Sequence, residues 1–210
     1  ANSVMINECL LMEDRYKNEA LQEYLAEVTG KESNNEKKPK IKNLTIMADT
    51  LLKIKEHIYY NMIDINDILK DVTPAERGKQ LALKLIAEYV ERLQSQNIYD
   101  FAMLETKFLD RLNSNSLDVF LDEIKIILVD EYQDTNNLQD MLFYVLSAKE
   151  EKLFMVGDIK QSIYGFRGAN PKNFLDKKNR YIPISEAKDT EPKKIILGKN
   201  FRCKAEVCGF

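Results

Sequence analysis

The stretch Lys125-Ile126-Ile127-Leu128-Val129-Asp130-Glu131-Tyr132-Gln133-Asp134-Thr135 decides how the chain is read. Its first part is a short continuous apolar run, the pattern of a strand buried on both faces. Its second part opens with two adjacent carboxylates. Acids at the tip of a buried strand are costly unless they serve a cation or a proton. One chemistry that uses them is phosphoryl transfer: one carboxylate holds Mg²⁺, usually through water, and the next orients and deprotonates an attacking water. The alternative is a charged strand end leading into a helix N-terminus, where the helix dipole favours acids.

Asn136 to Ala148 reads as a helix, and Lys152-Leu153-Phe154-Met155-Val156 as a second buried strand. Lys194-Ile195-Ile196-Leu197 reads as a third. Strands alternating with helices predict an α/β fold of parallel βαβ units. The stretch between the first two strands exceeds the ~10–12 residues that a helical crossover needs. In such sheets ligands bind beyond the C-terminal strand ends.

The second strand is followed by Gly157-Asp158-Ile159-Lys160-Gln161-Ser162-Ile163-Tyr164-Gly165-Phe166-Arg167-Gly168-Ala169. Its glycines let backbone pass close to a ligand. Tyr164, Phe166 and Arg167 are residue types that stack on and screen a single nucleic-acid strand. The alternative for Tyr164 and Phe166 is packing of a short helix, which their spacing does not exclude, and for Asp158 a helix cap. After the third strand comes Asn200-Phe201-Arg202. There an arginine could reach a γ-phosphate held by another element, and an aromatic could cover a base.

The first half reads helical. Cys9 to Glu27 carries Leu10, Leu11, Tyr16, Ala20, Leu21, Tyr24 and Leu25 near 3.6-residue spacing, with Gly30 as a stop. Lys31 to Asn43 is polar, Lys-rich and holds Pro39, which predicts an exposed connector; a phosphate-contacting strip is the other reading. Met47 to Tyr60 is a second helix. Thr73-Pro74-Ala75-Glu76 starts a third: Thr73 caps, Pro74 suits the first turn and Glu76 bonds back to the cap amide. That helix runs to about Gln96 with Ala82, Leu85, Ile86, Tyr89, Val90 and Leu93 on one face.

Composition bounds these readings. The 210 residues are 44% apolar and 31% charged, enough for a packed core and against wholesale disorder. A net charge of -3 excludes a generally basic coat, so any nucleic-acid contact sits in a local groove. No apolar run approaches the ~20 residues of a bilayer crossing, so no membrane is expected. Cys9, Cys203 and Cys208 form no CxxC pair and fit a reducing cytoplasm. His57 is the lone histidine, which argues against a His-rich metal site or a Ser-His-Asp triad.

Taken in order, these segments resemble the motifs of superfamily 1 DNA helicases of the UvrD/Rep/PcrA group. Ile127 to Gln139 (ILVDEYQDTNNLQ) resembles motif II, the Walker B element. Val156 to Pro171 (VGDIKQSIYGFRGANP) resembles motif III, and Leu197 to Val207 (LGKNFRCKAEV) motif IV, with Cys203 where the family usually has Ser. Tyr99 to Leu104 resembles the D-F-x-x-L segment that precedes motif II. The resemblance covers roughly Tyr99 to Phe210. It implies a partial RecA-like parallel sheet of the P-loop NTPase type over 98–210, with residues 1–97 as an all-helical insertion subdomain. It implies ATP and Mg²⁺ as cofactors and single-stranded DNA as partner. Asp130 would bind Mg²⁺, Glu131 would be the catalytic base, and Gln161 would sense the γ-phosphate. Asp134 and Asp158 would organise the region between motifs II and III. Phe201 would stack on adenine and Arg202 would contact the γ-phosphate. Tyr164, Phe166 and Arg167 would contact the DNA strand, Phe166 standing where many members carry Trp. Lys160 resembles the AddA/RecB helicase-nuclease branch and Gly165 the UvrD/Rep branch; the UvrD-like branch is the first reading and an AddA-type helicase-nuclease the second.

A phosphate-cradling G-x-x-x-x-G-K-[ST] is absent from these residues. Thr29-Gly30-Lys31-Glu32-Ser33 lacks the upstream glycine and places a repelling carboxylate after the lysine. The expectation is therefore a piece of a 3′→5′ helicase acting in DNA repair or recombination, inactive without the remainder of its chain. Two other readings compete: a non-hydrolysing module that grips DNA or protein, and a metal-dependent nuclease built on Asp130, Glu131, Asp134 and Asp158.

Overall fold

The structure is a computed structural model that describes residues 10–11, 21, 25, 41–73, 76–114, 116–163, 165 and 168–199. Helix α1, Ile41–Tyr60, turns Ala48, Leu51, Lys55 and Ile58 inward at alternating three- and four-residue steps, the stripe an amphipathic helix buries. It begins earlier than the sequence suggests. Ile41, Lys42 and Asn43, read as the end of a connector, are helical because their turn continues into that stripe. Helix α2 is Ile65–Asp71, with the Asp64 side chain accepting the Asn66 amide as its cap. Helix α3, Arg77–Ser95, starts later than a cap at Thr73 would give: its N-cap is Glu76, with no side-chain cap bond, while the expected back-bond is present, Glu76 accepting both the amide and the hydroxyl of Thr73. The Thr73 amide bond, then its hydroxyl, holds the Glu76 carboxyl below the usual carboxylate range. Its predicted face is inward, with Leu83 added.

One core joins Leu21, Leu25, Ala48, Leu51, Ile86, Tyr89, Val90, Leu93, Tyr99 and Met103. Leu21 and Leu25 are helical as read, but Leu10–Leu11 is strand β1, paired in parallel with β2, Ile98–Tyr99. The apolar pair Leu10-Leu11 fits either period, and the pairing edge offered by Ile98 and Tyr99 decides it. Helix α4, Phe101–Asn113, is capped by Asp100, whose Oδ1 accepts the Met103 amide. The other carboxylate oxygen takes the ammonium of Lys55 from the buried stripe of α1. The same ammonium stands 4.6 Å from the Tyr59 ring centroid. Burial, then the Asp100 charge, pushes the Tyr59 hydroxyl up to about 12.

After the short helix α5, Asp118–Glu123, strand β3, Ile127–Val129, pairs in parallel with β4, Leu153–Met155. Helix α6, Asn137–Leu146, crosses between them. A capping box starts it: Asn136 accepts the Gln139 amide and Gln139 accepts the Asn136 amide. Its Leu138 and Leu142 pack with Leu109 and Leu112 of α4 in a second core. The strands occur where expected, but they are not buried on both faces. Leu128 is 69% and Phe154 53% exposed, while their neighbours in each strand are half-buried. An apolar run reports that both faces avoid water; it does not report what covers each one.

Helix α7, Pro171–Arg180, leads to β5, Ile182–Pro183, paired in parallel with β6, Lys193–Lys194. The expected third strand is thereby corrected. Lys194 is in a strand, but Ile195, Ile196 and Leu197 are not, and Leu197 is 85% exposed. Their ladder stops because the partner turns away, with the Glu186 and Ala187 amides both donating to the Pro183 carbonyl. No helix among the described residues is long and apolar enough to cross a membrane.

Lys177 of α7 is buried between Asp140 at 2.8 Å and Glu150 at 3.0 Å. Arg180 and the Tyr181 hydroxyl also reach Glu150. Burial alone would push the Glu150 carboxyl up, but the hydrogen bonds from Lys177 and Arg180 outweigh it and hold it below its ordinary value. A depressed folded-state pKa contributes stability above the unfolded value near ~4.3, lost as pH falls through the lower folded value. Glu150→Gln should therefore flatten the acid limb of stability below about pH 4 in thermal melts followed by circular dichroism. Lys55→Met should cost about 3–5 kcal/mol in urea unfolding, because Asp100 is then left buried and unpaired.

Candidate functional site

Parallel pairing places the C-terminal ends of β3 and β4 side by side. Asp130 and Glu131 leave β3 with exposed side chains. Glu131 has φ 50° and ψ 43°, the left-handed region that costs a non-glycine residue roughly 1–2 kcal/mol. Its neighbours compel it. The Tyr132 amide donates to the Val156 carbonyl at 2.9 Å, and the Asp134 amide to the Glu131 carbonyl at 2.9 Å, closing a 3₁₀ turn over Tyr132–Asp134. Tyr132 anchors that turn. Its ring is fully buried between Phe143 and Phe174, and its hydroxyl donates to Asp140. Burial first, and the Asp140 hydrogen bond second, raise that hydroxyl far above its ordinary value.

Gln133, on the same turn, is 1% exposed. Its Nε2 donates to Glu131 Oε2 at 2.7 Å, and its Oε1 accepts the Asp158 amide at 2.9 Å. Asp158 is the first residue of the next strand-end turn to offer a carboxylate. Oδ1 accepts the Lys160 amide at 3.0 Å and Oδ2 accepts Gln161 Nε2 at 3.1 Å. The Lys160 amide, then the Gln161 side chain, hold the Asp158 carboxyl below the usual range. The side chain of Asp158 is thus a cap, and it also orients Gln161. A run of three hydrogen bonds therefore connects the exposed Glu131 carboxylate to the exposed Gln161 amide.

Behind this pair an asparagine cluster joins three segments. Asn137 of α6 donates to Asn61 at the end of α1 at 2.8 Å and accepts from Asn170 at 2.7 Å and Asn173 at 3.0 Å. The Asn170 amide donates to the Thr135 carbonyl at 2.8 Å. Gly168, with φ +80°, lies against Tyr60 of α1, where a Cβ would come within 2.6 Å of the ring. One oxygen of Asp134, Oδ1, is buried with no hydrogen-bond partner. Tyr164, Phe166, Arg167, Phe201 and Arg202 lie outside the described residues.

Sequence reasoning reached Asp130, Glu131, Asp158 and Gln161 and passed over Gln133, Asn137 and Asn170. Their amides look like ordinary turn and cap residues in one dimension. The available signal was Gly157 directly after a strand, a place where something must approach the backbone. A Cβ there would meet Gln133 Oε1 at 2.5 Å and the Phe174 ring at 3.1 Å.

Asp130 accepts the Glu131 amide through Oδ1 at 2.9 Å. A single exposed carboxylate fits Mg²⁺, which keeps most of its waters and takes one or two protein carboxylates. Among the described residues no group of three or more His, Cys, Asp or Glu side chains is placed to hold a metal ion. Asp130, Glu131, Asp134 and Asp158 therefore do not make a nuclease-type metal cluster.

The chain matches the family described as UvrD/REP helicase N-terminal domain over residues 2–182. It belongs to that family. It is 34% identical over 193 residues, 84% of its length, to a protein of Clostridium acetobutylicum named as one subunit of an ATP-dependent helicase/nuclease. The protein of the same name in Enterococcus faecalis is 37% identical over 163 residues, 70% of this chain. The one in Lactobacillus helveticus is 39% identical over 127 residues, 57% of this chain. The chain spans only 15%, 12% and 10% of those three relatives. It is a fragment-length match to a helicase family, and the resemblance read from its motifs is confirmed at the level of the family.

Gly157→Ala should destabilise the fold by about 1–3 kcal/mol, the cost of overpacking, because the Cβ collides with a buried, bonded amide. Urea unfolding measures that cost, and faster amide exchange at Asp158 should accompany it.

Proposed function

We propose that this chain is part of the first RecA-like domain of an ATP-dependent DNA helicase and translocase, and that it carries one wall of the ATP site. Residues 98–210 would form the partial ATPase domain and residues 1–97 its helical insertion. The observation that carries this reading is the joined placement of Glu131 and Gln161 at neighbouring C-terminal strand ends, the position at which α/β sheets bind ligands. Asp130 would hold Mg²⁺, which supplies charge neutralisation at the phosphates. Glu131 would accept the proton of the attacking water, and Gln161 would face the γ-phosphate. Phe201 and Arg202 would cover the adenine and contact the γ-phosphate. Tyr164, Phe166 and Arg167 would grip single-stranded DNA by stacking and charge.

The exposed Leu128 and Phe154 support a larger protein, because a parallel sheet is covered on both faces in its finished domain. The phosphate-cradling loop that this reading needs is not among these residues, so ATP turnover would belong to the full-length protein, which would act in the cytoplasm. Kinship with proteins named for an ATP-dependent helicase/nuclease favours the helicase-nuclease branch over the UvrD/Rep branch. The polarity, 3′→5′, and a place in repair or recombination follow the family.

In the full-length protein Glu131→Gln should lower DNA-stimulated ATP turnover by ~10²–10⁴ with nucleotide binding kept, the usual worth of a general base. Steady-state turnover alongside equilibrium binding of a fluorescent ATP analogue separates the two. Unchanged turnover would remove Glu131 from the reaction and this reading with it.

A further inference from the structure

We infer that Gln133 is a positioning residue: its buried amide sets the Glu131 carboxylate and ties that setting to the segment after β4. The inference rests on the reading of Glu131 as the base. A side-chain amide buried to 1% exposure is costly unless both ends are bonded. Here neither partner belongs to the core. One is the Glu131 carboxylate and the other is the Asp158 main-chain amide.

The orientation of the amide follows from its partners. A backbone N–H can only donate, so Oε1 faces Asp158; an ionised carboxylate can only accept, so Nε2 faces Glu131. Only a group with one donor and one acceptor at this reach serves both. Gln133 is also held by its surroundings. Its carbonyl accepts the Ser162 hydroxyl at 3.4 Å, and the missing Cβ of Gly157 leaves the space its Oε1 fills. Glu131, by contrast, is exposed, and its side chain would otherwise rotate in water. A fixed donor at 2.7 Å converts a mobile acid into an aimed one. Because Asp158 also holds Gln161, a shift of that turn moves the two aimed groups together.

The test uses the full-length protein with three variants. Gln133→Glu keeps an acceptor for the Asp158 amide but sets a carboxylate against Glu131. Gln133→Met fills the volume and removes both bonds. Glu131→Gln is the control. Both Gln133 variants should lower kcat for DNA-stimulated ATP hydrolysis about 10- to 100-fold, the scale of a misplaced reacting group, with KM for ATP within about twofold. Hydrogen exchange by mass spectrometry on the peptide containing Asp158 should speed up in Gln133→Met and stay unchanged in Gln133→Glu. A merely structural role makes turnover follow exchange, leaving Gln133→Glu near wild type. A kcat within twofold of wild type in Gln133→Glu, or a loss that appears as raised KM, overturns the inference. If Glu131→Gln itself keeps full turnover, the failure belongs to the proposed function instead.

Discussion

The parallel hydrogen bonding of β3 to β4 is the constraint on which the site depends. It brings Asp130-Glu131 and Asp158-Gln161, separated by a helix in sequence, to one edge. The ladder continues past both strands, since the Tyr132 amide still finds the Val156 carbonyl after the left-handed Glu131. That bond, with Tyr132 sealed between Phe143 and Phe174, compels the unfavourable backbone at Glu131. Local strain of this kind persists only where the surroundings over-determine it.

Polar groups that are buried or half-buried meet one another across the elements. Lys55 meets Asp100, Lys177 meets Asp140 and Glu150, and Asn137 serves Asn61, Asn170 and Asn173. Such pairs add little net stability against an apolar core, but each is expensive to break. They therefore specify which elements meet. Lys55 docks α1 on the cap of α4, and Asn137 docks α6 on the end of α1 and the start of α7. The helical part and the strand-end turns are thus joined by polar contacts between side chains. A displacement at the turn after β4 has bonded routes to Glu131 through Gln133 and to α1 through Asn170 and Asn137.

Several features were legible in one dimension because they rest on local physics. The bond from Glu76 back to the Thr73 amide, the inward face of α3, the helix of α6 and the positions of β3 and β4 depend on nearest neighbours and periodicity. So does the identity of the acids at the strand tip. Features that depend on partners far along the chain were not legible. Leu10-Leu11 became a strand because Ile98-Tyr99 offered an edge, and Ile195 to Leu197 failed to become one because Pro183 to Ala187 turned away. The exposure of Leu128 and Phe154 was likewise invisible, since hydrophobicity records a need for cover and not its supply.

Residue order alone supplies the chemistry on offer: two carboxylates after one apolar strand, an aspartate and a glutamine after another, and motifs whose order marks the UvrD/REP family. Tertiary structure alone decided how those groups are held. Gln133 became the link between them because parallel pairing put its amide between the Glu131 carboxylate and the backbone N–H of Asp158, a residue 25 positions further along the chain. No periodicity encodes that meeting, for it arises only when two strand ends share an edge and a missing Cβ at Gly157 leaves room between them.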